Sequence, residues 1–296
     1  MKRAIVTGAT GFIGSWLVEE LTAHGVEVTT LGREDLAATQ GNVNTKEPSP
    51  CYHQGGYDCF FHLAWDGVST EHKNDEETQL KNIPMSIRAL KLSHELGCGM
   101  FVAAGTVAEY AFCNDIMDVN ARQSPNDIYG ATKVAVHYYL EVLSRQLNQP
   151  FIWALLPSTY GERRTDSNIL TYTIRSLLAG EKPGYGNLDQ LWDFLYVGEV
   201  VKALRLIGEK GRAGKIYGIG SGKYEPLKNY ITRVRDVIDP DAELGIGELP
   251  AMSEKTFSSC VNIYDLVKDT GFIPEADFER DIKKTIVWLR EEEMRQ

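Results

Sequence analysis

Three glycines near the amino terminus form the clearest chemical motif in the chain. They lie in TGATGFIG (7–14), between a predicted strand and a predicted helix. Gly8 permits a tight turn, Gly11 lets a pyrophosphate approach the backbone, and Gly14 lets the helix pack on the strand. The amino terminus of that helix favours negative charge. The motif therefore predicts a dinucleotide site formed by Gly8, Gly11, Phe12, Ile13 and Gly14.

An arginine follows the second predicted strand, where an acidic residue binds the ribose of NAD in many sites of this kind. The strand ends at Leu31 and is followed by Gly32 and Arg33. A carboxylate would repel a 2′-phosphate, whereas a guanidinium can bind one with two hydrogen bonds. Arg33 therefore favours NADP as the cofactor. The alternative is NAD, with Glu34 or Asp35 bound to the ribose.

A tyrosine and a lysine four residues apart form the candidate catalytic pair. Tyr129 and Lys133 share one face of a predicted helix, where the ammonium would favour the phenolate and make the tyrosine a usable acid or base. The same spacing recurs at Tyr224 and Tyr264. Only Tyr129 follows the fourth predicted strand, whose carboxyl end should face the nicotinamide. That strand ends near Thr106, whose hydroxyl can polarise a carbonyl oxygen.

Strands alternate with helices in the first half of the chain. The predicted strands are 4–6, 27–31, 59–63, 100–104 and 151–155, and the predicted helices are 13–24, 79–96 and 128–147. This alternation predicts an α/β fold with a doubly wound parallel sheet of the Rossmann type and a smaller C-terminal α/β substrate domain. The weakly periodic segment 32–56 is predicted as a loop.

The alternation weakens after Pro157, which indicates a second domain. Its predicted elements are a strand at 192–197 and helices at 169–179, 199–209 and 278–290. We expect a dinucleotide-binding domain over 1–162, with 192–219 returning to it. The substrate domain is then expected over 163–191 and 220–296.

Composition excludes several classes of partner. The 296 residues include 31 Lys plus Arg against 41 Asp plus Glu, a net charge of −10, which argues against nucleic-acid binding. No apolar run reaches the roughly 18 residues of a membrane span. Five cysteines without C-x-x-C spacing indicate reduced thiols in a cytoplasmic protein without a metal site. Because the net charge is negative, any bound anion must be held by local donors such as a helix amino terminus.

Taken together, the motifs resemble the extended short-chain dehydrogenase/reductases, and within them the enzymes that act on nucleoside-diphosphate sugars. The resemblance rests on TGATGFIG (7–14), FFHLAW (60–65), Asn82 in a helix, GTVAEY (105–110), YGATK (129–133), LLPSTYG (155–161) and WDFLYV (192–197). It implies that Thr106, Tyr129 and Lys133 form the catalytic set.

The same resemblance implies ligand contacts. It places Asp58 at the adenine and assigns cofactor contacts to Leu63, Ala64, Asn82, Lys133 and Pro157. Candidates for the sugar nucleotide are Thr106, Asn168 and Arg175, together with Trp65, which either walls the sugar pocket or anchors a loop. In this family the helices 79–96 and 128–147 often form a dimer interface, so we expect a homodimer. Packing of these helices within one chain is the alternative.

Departures from the family pattern narrow the expected reaction. Val107 and Ala108 replace the Asp-Glu pair that removes water in 4,6-dehydratases, and Ala108 also replaces the cysteine of enzymes that epimerise before reduction. We therefore expect an NADPH-dependent reductase of a nucleoside-diphosphate 4-keto-6-deoxy sugar. The alternatives are an NAD-dependent 4-epimerase of nucleoside-diphosphate sugars and a non-catalytic NADP-binding sensor.

Overall fold

Strands and helices were located in a computed structural model that describes residues 1–38, 56–110, 116–250 and 260–295. The strands are β1 (Arg3–Thr7), β2 (Glu27–Leu31), β3 (Cys59–His62), β4 (Met100–Thr106), β5 (Phe151–Leu156), β6 (Ser158–Tyr160), β7 (Gly184–Tyr185), β8 (Leu191–Trp192), β9 (Phe194–Tyr196), β10 (Ile216–Gly218), β11 (Glu225–Pro226) and β12 (Gly245–Ile246). The helices are α1 (Phe12–Ala23), α2 (Arg33–Ala38), α3 (Glu76–Glu95), α4 (Ile128–Leu147), α5 (Ile169–Leu178), α6 (Val197–Lys210), α7 (Leu227–Ile238), α8 (Tyr264–Thr270) and α9 (Phe278–Glu293). A 3₁₀ turn spans Val107–Tyr110.

Six strands form one parallel sheet in the order β10-β5-β4-β3-β1-β2. β1 lies between β2 and β3, so successive strands are added on opposite sides of it. Such a reversal of strand order places a ligand crevice at the carboxyl ends of the strands. The predicted α/β fold class with a Rossmann-type sheet is confirmed.

Helices cover both faces of this sheet, because side chains alternate along each strand. On β5, Phe151 and Trp153 are buried on the face covered by α3 and α4, together with Leu140 of α4. Ile152 is buried on the opposite face, with Leu17 of α1 and other apolar residues of α1 and α6. These two buried layers fix the carboxyl edge of the sheet on which the candidate site lies.

The later part of the chain builds a third apolar cluster. It contains side chains of α5, α7 and α9 and of the β6–β9 pair, among them Ile174, Ile231 and Ile286. Between these elements, α6 packs on α1 and β10 joins the sheet beside β5. The domain boundaries expected from sequence stay a prediction.

Two sequence predictions differ from the structure. Helix α2 lies within the predicted loop 32–56, and residues 39–55 of that segment lie outside the described residues. The predicted strand 192–197 is divided into β8 and β9 at Asp193, whose carboxylate accepts a hydrogen bond from the Ser221 amide. The two pieces pair with different strands, β8 with β11 and β9 with β6, so the extended run changes partner at Asp193.

Cysteines and membrane segments can be assessed only in part. Cys59, Cys98 and Cys260 are buried free thiols, and Cys51 and Cys113 lie outside the described residues. Within the described ranges, no helix combines the length and apolarity that crossing a membrane requires, and no cluster of His, Cys, Asp and Glu is arranged to hold a metal ion.

Candidate active site

The glycine loop follows β1 at the carboxyl edge of the sheet. Gly8 has a φ of +73°, and a Cβ added there would lie 2.7 Å from the Ala64 amide nitrogen. A Cβ on Gly14 would lie 2.0 Å from the Gly8 carbonyl oxygen. The first glycine is required by its backbone conformation and by its contact with the segment after β3, and the third is required by helix packing.

The amino terminus of α1 is open to a ligand. Gly11 is the N-cap, no side chain caps the helix, and the first turn carries no acidic residue. The free N–H groups and helix dipole at such a terminus suit a pyrophosphate. Leu63 and Ala64 approach the same loop, since the Leu63 amide donates to the Thr7 carbonyl at 3.2 Å. These residues fit a dinucleotide cofactor.

Tyr129 is held beside Thr106 by the start of α4. The Asp127 carboxylate caps this helix by accepting from the Gly130 amide at 2.7 Å, and the Tyr129 amide donates to the Lys73 carbonyl at 2.9 Å. The buried Tyr129 phenol lies close enough to the Thr106 side chain to be influenced by it. Burial raises the pKa of Tyr129 well above its ordinary value, and the Thr106 side chain opposes that increase.

Lys133 lies one helical turn after Tyr129. Its Nζ donates to the Ala104 carbonyl at 2.7 Å, lies 3.6 Å from the centre of the Trp65 ring and 5.9 Å from that of Tyr129. Burial lowers the pKa of Lys133, because the ammonium is removed from water. The structure therefore brings together the three residues expected to be catalytic. Thr106 and Tyr129 supply two hydroxyl groups that can bind one carbonyl oxygen, and the amino group of Lys133 lies close to Tyr129.

Trp65 packs against this set. Its ring meets that of Tyr129 edge-on at 6.0 Å between centroids, and its Nε1 donates to the Gln79 side chain at 3.0 Å. The described contacts thus anchor the segment after β3, which was one of the two expectations for Trp65. Its contact with a sugar stays a prediction.

Arg33 lies at the carboxyl end of β2, as the first residue of α2. Its guanidinium pairs with the Asp66 carboxylate at 3.1 Å, and both side chains are largely exposed. A cavity of about 250 Å³ opens beside this pair. Its lining includes three basic side chains, Arg33, Lys81 and Arg88.

The prediction that Asp58 reaches the adenine is wrong. Asp58 precedes β3, and the strand register pairs Cys59 with Ala4, at the amino edge of the sheet. Its carboxylate accepts from the backbone amides of Lys2 and Arg3, the latter at 2.9 Å, and these bonds lower its pKa. The glycine loop lies at the opposite edge, about 15 Å away for strands of this length. Asp58 therefore ties β1 to β3.

Three further predicted ligand contacts have structural roles in the described residues. Asn82 is fully buried, and its amide accepts from the Asp66 amide at 2.7 Å and donates to the Asp66 carbonyl at 3.0 Å. Asn168 caps α5 through its Oδ1, which accepts from the Leu170 amide. Arg175 donates to the Thr165 carbonyl and lies 3.7 Å from the Glu293 carboxylate. Their contacts with ligands stay predictions, as does that of the buried Pro157 after β5.

A buried carboxylate beside the catalytic set was not predicted from the sequence. Glu109 is fully buried in the 3₁₀ turn after β4, and its Oε1 accepts from the Thr106 amide at 2.9 Å. The available signal was a charged residue within an apolar stretch directly after Thr106, in the GTVAEY segment. Buried carboxylates are rare unless they are paired, so that pattern deserved a functional hypothesis.

Comparisons with known proteins agree with this architecture. The model of the NAD dependent epimerase/dehydratase family matches residues 4–220. The dTDP-glucose 4,6-dehydratase of Xanthomonas campestris pv. campestris is 22% identical, covering 97% of this chain and 93% of its own. A putative UDP-glucose 4-epimerase of Methanocaldococcus jannaschii is 24% identical, covering 97% and 98%.

Solved structures share the fold over nearly the whole chain. RMD from Pseudomonas aeruginosa, solved with NADPH, has a TM-score of 0.81 at 20% identity and covers 99% of this chain and 100% of its own. The UDP-N-acetylglucosamine 4-epimerase of Methanobrevibacter ruminantium, solved with UDP-N-acetylmuramic acid, has a TM-score of 0.82 at 21% identity and covers 98% and 99%. With the family model matching most of the chain, this protein belongs to the NAD dependent epimerase/dehydratase family.

Proposed function

We propose that this protein is an NADP(H)-dependent reductase of a nucleoside-diphosphate 4-keto-6-deoxy sugar. The observation that carries the proposal is the convergence of Thr106, Tyr129 and Lys133 at the end of β4, followed by Val107 and Ala108. The first three groups can protonate and hold a carbonyl oxygen. The last two offer no acid or base for dehydration or for epimerisation before reduction.

In this mechanism the protein supplies a proton and holds the oxygen. The Tyr129 hydroxyl donates its proton to the carbonyl oxygen, and the Thr106 hydroxyl donates a hydrogen bond to the same oxygen. Burial keeps the Tyr129 phenol protonated before transfer. The Lys133 Nζ, 5.9 Å from the centre of the ring, would place a positive charge near the phenolate that remains. The bound cofactor supplies the hydride.

Residues of the carboxyl edge would hold that cofactor. The α1 terminus with Gly8, Gly11 and Gly14 suits the pyrophosphate, and Lys133 would bind the nicotinamide ribose. Arg33 supports NADP, since the basic side chains around its cavity suit a 2′-phosphate. The exposed pair that Arg33 forms with Asp66 contributes about 0 to 1 kcal/mol, so a phosphate can replace it.

The proposal also covers the substrate, the cellular compartment and the oligomeric state. A nucleoside-diphosphate sugar is supported by the dTDP-glucose 4,6-dehydratase, the putative UDP-glucose 4-epimerase and the UDP-N-acetylglucosamine 4-epimerase described above, which are named for such compounds. Contacts to it are proposed for Trp65, Asn168 and Arg175. The free thiols Cys59, Cys98 and Cys260 fit a cytoplasmic protein, and we propose a homodimer.

The proposal is tested by following NADPH consumption with a panel of 4-keto-6-deoxy sugars carried on dTDP, UDP, GDP and CDP. We expect turnover with at least one nucleotide and slower turnover with NADH. Wild-type protein that binds NADPH yet oxidises it with no keto sugar nucleotide would contradict the proposal.

A 4-epimerase is the second candidate, and Asp35 is the observation that favours it. Its carboxylate accepts from the Gly32 amide at 2.8 Å, directly after β2, where it could bind the ribose hydroxyls of NAD. An epimerase would retain NAD through purification and would interconvert two sugar nucleotides without net cofactor consumption. Cofactor release by denaturation, followed by chromatography, distinguishes it from the reductase.

A further inference from the structure

Both carboxylate oxygens of Glu109 accept hydrogen bonds. Besides the Thr106 amide on Oε1, the Trp153 indole N–H lies 3.1 Å from Oε1 and 3.2 Å from Oε2, and the Gln123 amide donates to Oε2 at 3.3 Å. All three donors are neutral. Burial raises the pKa of Glu109, and these donors oppose that increase because they stabilise a carboxylate over a carboxylic acid.

Lys133 is the opposite charge of this buried pair. Its side chain is as deeply buried, lying among the Ala104 carbonyl and the Trp65 ring. Burial raises the pKa of Glu109 and lowers that of Lys133, and the charge of each group opposes the effect of burial on the other. An ammonium isolated there would lose its proton, since an unpaired buried charge is costly.

Both members of the pair also bond to the backbone around Gly105. Lys133 binds the carbonyl that precedes this glycine, and Glu109 binds the amide that follows it. A Cβ on Gly105 would lie 2.2 Å from the Trp153 Nε1 and 2.8 Å from the Glu109 Oε1. The strand end that carries Thr106 is therefore shaped around the buried carboxylate.

We propose that Glu109 is a positioning residue for the catalytic set, which keeps Lys133 in its ammonium form and fixes the backbone of Thr106. Its kinetic consequence rests on the proposed reductase function, but its electrostatic consequence does not. Loss of the Glu109 charge removes the charged group that stabilises the Lys133 ammonium, so Lys133 gives up its proton at lower pH.

The other titratable groups near the pair do not replace Glu109. On the Lys133 side they are the phenol of Tyr129 and the imidazole of His62, whose pKa is lowered to about 3 by burial and by Lys133. On the Glu109 side they are the phenol of Tyr110 and the imidazole of His137, which Gln123 links to the carboxylate and whose pKa burial lowers to about 4. Each of these groups is neutral near pH 7.

The direct test measures the titration of Lys133 by NMR in protein grown with isotope-labelled lysine, with the resonance assigned from a Lys133→Met variant. In Glu109→Gln we expect the midpoint of Lys133 to fall by about 1 to 3 pH units, the effect of removing an opposite charge that acts on the ammonium. Glu109→Asp retains the charge and should titrate near the wild-type midpoint. Asp269→Asn is the matched control, because its buried carboxylate binds Tyr217 and Arg212 outside the catalytic set.

A second variant covers failure of Glu109→Gln to fold. Gln123→Ala removes one donor to the carboxylate, so the midpoint of Lys133 should move in the same direction by less. An unchanged midpoint in whichever variant folds, or an equal shift in Glu109→Asp and Glu109→Gln, would overturn the proposal, because a structural role depends on shape rather than charge.

The kinetic readout follows the same logic. Reduction requires the Lys133 ammonium, so its rate falls as pH rises through the pKa of Lys133, and Glu109→Gln should move that alkaline limb down by the NMR shift with KM unchanged. An alkaline limb of kcat that stays in place would overturn the positioning role. Absence of turnover in wild-type protein, with the NMR shift present, would count against the reductase function and leave the Glu109–Lys133 pairing supported.

Discussion

Among single residues, Tyr129 gives the sharpest distinction between motif and site. Tyr129→Phe removes the proton donor and keeps the ring packed on Trp65, so we expect kcat to fall by about 100- to 10,000-fold with NADPH affinity nearly unchanged. Steady-state kinetics and fluorescence titration of NADPH measure the two quantities.

Tyr264→Phe is the matched control for this prediction. Tyr264 begins another Y-x-x-x-K segment but lies 64% exposed at the start of α8. Its replacement should leave kcat unchanged. Equal losses in the two variants, or full activity in Tyr129→Phe, would remove Tyr129 from the catalytic set.

Arg33 is the residue proposed to select NADP over NAD. Arg33→Ala removes charge-assisted hydrogen bonds to a 2′-phosphate, so Kd for NADPH should rise about 10- to 100-fold while Kd for NADH changes little. Arg145→Ala, which removes an exposed arginine paired with Glu141 on α4, is the control. An equal rise of Kd for NADPH and NADH in Arg33→Ala would show that the arginine does not bind the 2′-phosphate.

The placement of single residues could be predicted from the sequence where their spacing along the chain determines their geometry. The three glycines and the Tyr129–Lys133 pair are local, so a turn or one helical face fixes their arrangement. Glu109 depends instead on Trp153 and Gln123, which reach it only after β4, β5 and the loop before α4 have assembled. Asp58 was misassigned because a residue before a strand lies at the amino edge, away from the ligand crevice.

Among the elements, the packing of α1 on β1 determines the shape of the glycine loop. Gly14→Ala would place a methyl group 2.0 Å from the Gly8 carbonyl oxygen, so α1 must shift away. We expect the free energy of unfolding to fall by about 1 to 3 kcal/mol and NADPH binding to weaken. Urea unfolding and a binding titration measure both effects.

Gly184→Ala provides the comparison for that prediction. At Gly184 a Cβ would meet the Leu249 side chain at 3.5 Å, an ordinary contact, so stability should change little. If Gly14→Ala unfolds at the same urea concentration as wild type and binds NADPH equally well, the close packing of α1 on the loop does not form the site.

The elements themselves were largely predictable where periodicity was strong. The predicted strand 27–31 matches β2 and the predicted helix 128–147 matches α4, since each has a clear apolar pattern of adequate length. Helix α2 was missed because its REDLAA sequence is too short for helical periodicity to show. The division at Asp193 was missed because β8 and β9 pair with two strands, β11 and β6, that lie far apart in sequence.

At the scale of the whole molecule, α3 and α4 carry exposed apolar side chains. Leu80, Tyr139 and Val142 are 50%, 52% and 47% exposed on these adjacent helices. We expect a dimer through this surface, and Leu80→Glu with Val142→Glu should convert it to monomer, because charges would be buried at the interface. Sedimentation velocity measures the change.

Val287→Glu is the control for the dimer, since Val287 is 53% exposed on α9 instead. It should sediment as wild type. A wild-type monomer, or a double variant that remains dimeric, would contradict an interface on α3 and α4.

The net charge of −10 also concerns the whole molecule, because it opposes binding of anionic ligands. The structure places favourable groups locally, at the open terminus of α1 and at the basic cavity beside Arg33. A chain of this composition can therefore bind dinucleotides and diphosphates at one edge of its sheet while its overall field repels them.

Transfer of deuterium from the cofactor to the sugar distinguishes reduction from every redox-neutral reaction. The protein is incubated with NADPH deuterated at the transferring position of the nicotinamide and with a 4-keto-6-deoxy sugar nucleotide, and the product is analysed by mass spectrometry and NMR. We predict one deuterium on the new carbinol carbon, equal in amount to the NADPH consumed. In Tyr129→Phe we predict almost no deuterated product. Products without deuterium, formed with no NADPH consumed, would contradict it.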